Sequence, residues 1–252
     1  MAAQKPYEFD EYPPALAWQL VVLMLLAAAL GAIGAVFLLP AWLPGLTASL
    51  FGEAPKAYWY LARSSGVVAY ILLWLSMVFG VMMTNKLARL WPGGPTAFDA
   101  HQFTSLLGLA FALFHAIILL GDEYIQSGLV NVLVPFTYDY RPEWVGVGQL
   151  AFYAMAIIAF SFYVRQQIGR RAWRLIHYLS FLTYLAALAH GITAGTDTAT
   201  RFMQSLYWGS GGLLLFLTIY RIQHSILSRR ERAAKKAAHR AKAHQPPSTT
   251  NA

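Results

Sequence analysis

Long apolar runs separated by short charged stretches divide this chain. Six of the runs approach the 20 or so residues an α-helix needs to cross the hydrocarbon core of a bilayer. They cover about residues 15–39, 59–83, 103–120, 145–164, 175–193 and 202–222. The pattern predicts an all-α membrane protein, a six-transmembrane-helix bundle. The first run is too long for the apolar core of a signal peptide, and Glu8, Asp10 and Glu11 crowd the segment before it, so it reads as a span. Three regions follow: an N-terminal cytoplasmic segment (1–14), one transmembrane domain (15–225) and a basic cytoplasmic tail (226–252) expected to be disordered. The longest loop, 121–143, holds a shorter apolar patch at 129–136. That patch reads either as an interfacial lid over one mouth of the bundle or as a loop lying on lipid headgroups.

Composition agrees with the runs. Only 12% of the residues are charged, about half the share of a soluble domain. There is no cysteine, which excludes disulfides, thiolate metal sites, iron–sulfur clusters and haem attached through C-x-x-C-H. The net charge of +8 is concentrated at the C-terminus, where Arg221–Ala252 holds eight Lys or Arg against one acid, Glu231. Such a tail beside a span suits anionic lipid. It has no aromatic residue for stacking on bases, so no nucleic acid is expected. Lys5, Lys86, Arg89, the Arg165–Arg174 loop and the tail fall on one side of the spans, and Lys56, Arg63, Arg141 and Arg201 on the other. Basic loops stay in the cytoplasm, so both termini are expected there, in the cell membrane. Trp42, Tyr58, Trp59, Tyr60, Trp91, Trp144, Trp173 and Trp208 fall near span ends and are expected as interfacial anchors.

The chemistry lies in four histidines within apolar segments. His101 and His115 are 14 residues apart around the third span, and His177 and His190 are 13 apart in the fifth. At 1.5 Å per residue each spacing is about 20 Å of depth. Both helices run in the same direction, so His101 pairs in depth with His177 and His115 with His190. Intramembrane ionisable groups are costly and call for a function. Ligation of haem, a proton relay and mere packing are the three readings, and two matched couples favour the first. Rotation counts against it: 14 residues return to within roughly 40° of the start, whereas 13 miss by roughly 140°. Tilt, a π-bulge or different ring rotamers must absorb that difference. Phe111, Phe114, Phe181 and Tyr184 lie between the two depths. His224, His239 and His244 are in or near the tail and carry no inference.

The segments FDAHQFTSLLGLAFALFHAIILL and RRAWRLIHYLSFLTYLAALAHGI resemble the third and fifth helices of ferric-reductase-like transmembrane domains. LARSSGVVAYILLWLSMVFGVMM and LVPFTYDYRPEWVGVGQLAFY add to the likeness, which extends over about residues 57–225. The family includes ferric reductases, NADPH oxidases and the haem subunit of a periplasmic methionine-sulfoxide reductase system. The resemblance implies two b-type haems (haem b) ligated by His101, His177, His115 and His190. It also implies Arg63 beside the outer haem, against a propionate or a bound oxidant; snorkelling to the interface is the alternative for Arg63. The residues after the sixth run carry no G-x-G-x-x-G turn. The donor is therefore expected to be separate: a flavoprotein, a quinol or free flavin on the cytoplasmic side, with any flavin supplied by a partner.

The function expected is transmembrane electron transfer to an acceptor on the outer face, as an oxidoreductase subunit. Delivery of electrons to a periplasmic methionine-sulfoxide reductase is one alternative. A haem-free transporter using the histidines as a proton relay is another.

Overall fold

The computed structural model describes residues 13–42, 57–84, 87–89, 91–122, 125 and 127–243. Lys5, the acids before the first span, Lys56, Lys86 and the end of the tail lie outside the described residues. Seven α-helices occur among the described residues, with no strand. They are α1 (Trp18–Trp42), α2 (Ala57–Thr84), α3 (Gly94–Ile118), a short α4 (Leu129–Leu133), α5 (Pro142–Ser161), α6 (Arg165–Ala194) and α7 (Arg201–Ala243). All but α4 are long and apolar enough to cross a membrane, and the protein is a multi-pass integral membrane protein. Large apolar side chains such as Phe37, Leu175, Leu182 and Trp208 point outward. In water that would be a liability; in lipid it is the expected exterior.

Local sequence fixes several helix boundaries. Pro95 and Pro142 stand at the starts of α3 and α5, where a missing backbone N–H costs nothing. α6 starts at Arg165 and bends at Gly169, whose φ of 79° lies in the left-handed region that glycine enters without penalty. α3 begins at Gly94 rather than near Phe103, so His101 sits inside the helix and not at its end. α7 continues past the expected limit at 222 and is helical to Ala243. The expectation of a disordered tail therefore does not hold for 226–243. The reason is intrinsic propensity: Ala, Lys, Arg and Glu dominate that stretch, and all are strong helix formers.

α2 packs along α3, and α5 along α6, while α1 lies against α3 and α7 against α2. The largest core cluster joins α2, α3, α5, α6 and α7 through Tyr70, Leu73, Met77, Leu109, Met155, Tyr184 and Tyr207. A second cluster joins Tyr58, Ala62 and Ile118. Tyr58 is not an interfacial anchor: it is 3% exposed and its hydroxyl donates to the carbonyls of Ala35 and Val36, tying α2 to α1. α3 and α6 face one another across two cavities that abut in the middle of the bundle and share Leu73, Met155 and Thr183 as common wall.

Candidate functional site

The antiparallel register of α2 and α3 positions two of the four imidazoles. His115 Nδ1 lies 2.6 Å from the carbonyl of Ala62, and His101 Nδ1 lies 2.8 Å from the carbonyl of Ser76. Ser76 stands as far beyond Ala62 on α2 as His115 stands beyond His101 on the facing helix. A glycine follows one helical turn after each acceptor. A Cβ on Gly66 would come within 2.9 Å of His115 Nδ1, and one on Gly80 within 3.3 Å of His101 Cε1. The imidazole can rest on the neighbouring backbone only because the side chain one turn along is missing. Ser76 Oγ adds a second contact to His101 Nδ1 at 3.1 Å and is itself linked to Ser105 Oγ at 2.6 Å.

α5 does the same for α6 once. His190 Nδ1 lies 2.9 Å from the carbonyl of Trp144, and a Cβ on Gly148 would stand 2.6 Å from that nitrogen. A carbonyl can only accept, so in all three cases Nδ1 carries the proton and Nε2 keeps its lone pair. This is how a metal-ligating histidine has its tautomer and ring direction set. His177 is held differently: its ring stacks on Trp173 one turn earlier, with centroids 5.0 Å apart and planes at 19°.

The four rings meet in the two expected couples. His101 and His177 have centroids 6.0 Å apart, and His115 and His190 6.3 Å apart. With a metal–nitrogen bond of about 2 Å and a ring centre roughly 1.1 Å behind the nitrogen, two imidazoles on opposite sides of one ion stand roughly 6 Å apart. The observed spacings fit an ion between each couple. Each couple opens into a mainly apolar cavity of about 390 Å³, in the size range of cofactor sites. Among the described residues no three His, Cys, Asp or Glu cluster to chelate a bare cation. A planar macrocycle that supplies its own equatorial donors, with imidazoles above and below, suits this donor set. The longer rotation between the two histidines of α6 is not absorbed by a π-bulge, because the helix is regular from His177 to His190. The two rings instead leave the helix toward different supports, Trp173 and the α5 backbone.

Arg63 lines the His115–His190 cavity. It forms an ion pair with Asp197 in the α6–α7 turn, and its guanidinium lies 4.0 Å above the Trp59 ring. Trp59 is thus committed to a cation. Asp197 and the three glycines escaped the sequence reading, and Trp173 was expected only as an interfacial anchor. The recurrence of Ala62/Gly66 as Ser76/Gly80 at the histidine spacing was the signal that could have revealed the glycines.

The apolar patch at 129–136 lies as a lid along the cavity, with most of its large side chains exposed. Gln149 Nε2 donates to the carbonyls of Asn131 and Val132 at 2.7 and 2.9 Å, and the Tyr153 hydroxyl donates to that of Leu133. Tyr153 lies three turns into α5, about 16 Å along its axis, so the lid dips beside the bundle. Its C-terminal carbonyls need these donors because lipid offers none. Val132 is buried against the cavity and Leu133 borders it, while Leu129, Val130, Leu133 and Val134 are exposed to the outside. Tyr138 lines the cavity just after the lid; burial pushes its phenol pKa up, so it stays protonated, with the Ser127 hydroxyl acting the opposite way.

Between the depths, Tyr184 bonds to Tyr70 at 3.0 Å and Tyr70 to Ser210 at 2.5 Å, a buried hydroxyl mesh linking α6, α2 and α7.

Residues 65–188 match the family described as ferric reductase like transmembrane component. The match contains His101, His115 and His177 and ends just short of His190; Arg63 lies just before its start. It implies electron transfer across a membrane in general terms. No match was found among curated proteins or solved structures.

Proposed function

With residues 65–188 forming a ferric-reductase-like transmembrane component, we propose that this protein moves electrons across the cell membrane through two b-type haems. The observation that carries the reading is the pair of ring spacings, 6.0 and 6.3 Å, at two depths of one bundle. His101 and His177 hold the haem on the side of the basic loops, taken as cytoplasmic, and His115 and His190 hold the one on the outer side. Haem ligated on both faces supplies one-electron exchange with no coordination position left open.

The chain's own residues do the rest. The carbonyls of Ser76, Ala62 and Trp144 keep three Nδ1–H groups pointed away from the cavities, so that Nε2 faces in. Apolar walls and the α4 lid keep water from the outer position. Arg63 offers a cation to a propionate or an anionic acceptor there, in exchange with Asp197. The donor is a flavoprotein, a quinol or free flavin at the cytoplasmic face, and the acceptor is on the outer face; a reductase for oxidised methionine is one such acceptor. The part of the basic stretch of α7 next to the bilayer meets anionic lipid headgroups.

A visible spectrum of the purified protein with haem quantification tests the reading. Two haems per chain and a split Soret response on dithionite reduction support it. A protein that stays colourless after haem supplementation would return the histidines to a relay in a haem-free transporter.

A further inference from the structure

The four imidazoles are not held alike. His101, His115 and His190 each donate Nδ1–H to a carbonyl of a neighbouring helix, and each lies beside a glycine one turn after that carbonyl. On α2 this carbonyl–glycine unit occurs twice, at Ala62 with Gly66 and at Ser76 with Gly80. On α5 it occurs at Trp144 with Gly148. Moving along α5 by the same interval that separates the α2 units, the two places are held by Ile158 and Phe162, both walls of the His177 cavity. The unit is absent there. Phe162 puts a ring where the absence of a side chain is needed, and that ring carries the Arg165 guanidinium at 3.9 Å. α6 compounds this by setting its histidines one residue closer together than those of α3. His177 makes no hydrogen bond among the described residues and leans on Trp173.

We propose that His177 is the exchangeable ligand of the four, kept in place by stacking on Trp173, so that the His101–His177 position is where a small neutral ligand of ferrous iron can enter. This rests on the haem reading above. A donated Nδ1–H makes the ligating nitrogen more basic and fixes the ring; losing such a partner typically weakens metal binding by about 10–100-fold. Stacking restrains the ring plane but adds nothing to its basicity. Exchange here breaks the bond from His177 Nε2 and forms one from the incoming carbon or nitrogen lone pair, with no change in electron count. Trp173 is therefore a positioning residue.

The test is a carbon monoxide titration of the haem-loaded, dithionite-reduced protein, followed at the Soret band. In wild type, the haem that responds first is expected to be the one that persists in His115→Ala. Trp173→Leu is expected to respond at lower carbon monoxide than wild type, with one of its two haems, and Trp173→Phe to return toward wild type. The proposal is overturned if Trp173→Leu carries two haems and is no more reactive than wild type. It is equally overturned if the responding haem is the one removed by His115→Ala. Wild-type protein that binds no haem would instead overturn the reading of the histidines themselves, before any ligand is added.

Discussion

The two ends of the bundle hold matching ring couples in differently charged surroundings. Around His115–His190 the cavity wall has one cation and one anion, Arg63 and Asp197, joined to each other, and the α4 lid lies across the side. Around His101–His177 the wall has Arg165, Arg174 and Arg221 and no Asp or Glu among the described residues. Three cations along a wall favour an extra electron nearby, whereas an Arg–Asp pair has little effect, and in an apolar bundle such fields are weakly screened. One scaffold thus gives two couples of the same residue type different surroundings. The wild type is expected to titrate in two resolved redox waves.

The comparison breaks most completely at the ligands. His115→Ala or His190→Ala is expected to remove one haem of the two and leave the other spectrum intact, read as the haem-to-protein ratio. Loss of both haems on either substitution would mean that the two ends are one cooperative site.

Next come the glycines. Gly148→Ala puts a Cβ 2.6 Å from His190 Nδ1 and Gly66→Ala one 2.9 Å from His115 Nδ1, against 3.3 Å to the His101 ring for Gly80→Ala. The first two are expected to weaken haem retention by about 10–100-fold, the scale for losing an outer partner of a ligand, and Gly80→Ala by only a few-fold. Haem transfer to an apo-globin acceptor measures the order, and an equal effect at all three glycines would contradict it.

The charge difference is tested from both sides. Arg221→Gln removes a cation from one end, and Asp197→Asn frees the cation of the other, so both are expected to draw the two redox waves together. Stability hardly enters for the second: a partly exposed ion pair contributes about 0–1 kcal/mol. Waves that diverge in either variant would contradict the electrostatic account.

The smallest effect belongs to the lid. Gln149→Leu removes the donor to two α4 carbonyls, each bond worth about 0.5–1.5 kcal/mol net. Hydrogen exchange in 129–137 is expected to rise while both haems stay bound.

Much of this was legible in the chain. Six apolar runs became six spans, and residue spacing alone paired the histidines correctly by depth, because rise per residue is a property of the backbone. The azimuth was less accessible. The rotation between His177 and His190 looked like an obstacle, since sequence spacing does not reveal which neighbour each ring rests on. Trp173 and Trp59 were read as membrane anchors because position near a span end is all that a sequence displays of a tryptophan; their partners, His177 and Arg63, lie one helical turn away on their own helices and become visible only with side-chain direction. Asp197 was missed for a different reason. It sits in a turn between two spans, far in sequence from Arg63, and only the packing of α7 against α2 brings them together.

α7 has a mechanical consequence. Its 43 residues make a rod of about 65 Å, roughly twice the thickness of the hydrocarbon slab. No glycine or proline interrupts it between Leu213 and Ala243, and such residues are where helices usually hinge. Anything that grips the arm in the aqueous phase holds a stiff lever that reaches back to Leu213, three residues from the Ser210 that meets Tyr70. A push or twist applied outside the membrane travels without a joint as far as Leu213, where Gly212 and Gly211 offer a hinge next to Ser210 and its hydroxyl contact with Tyr70.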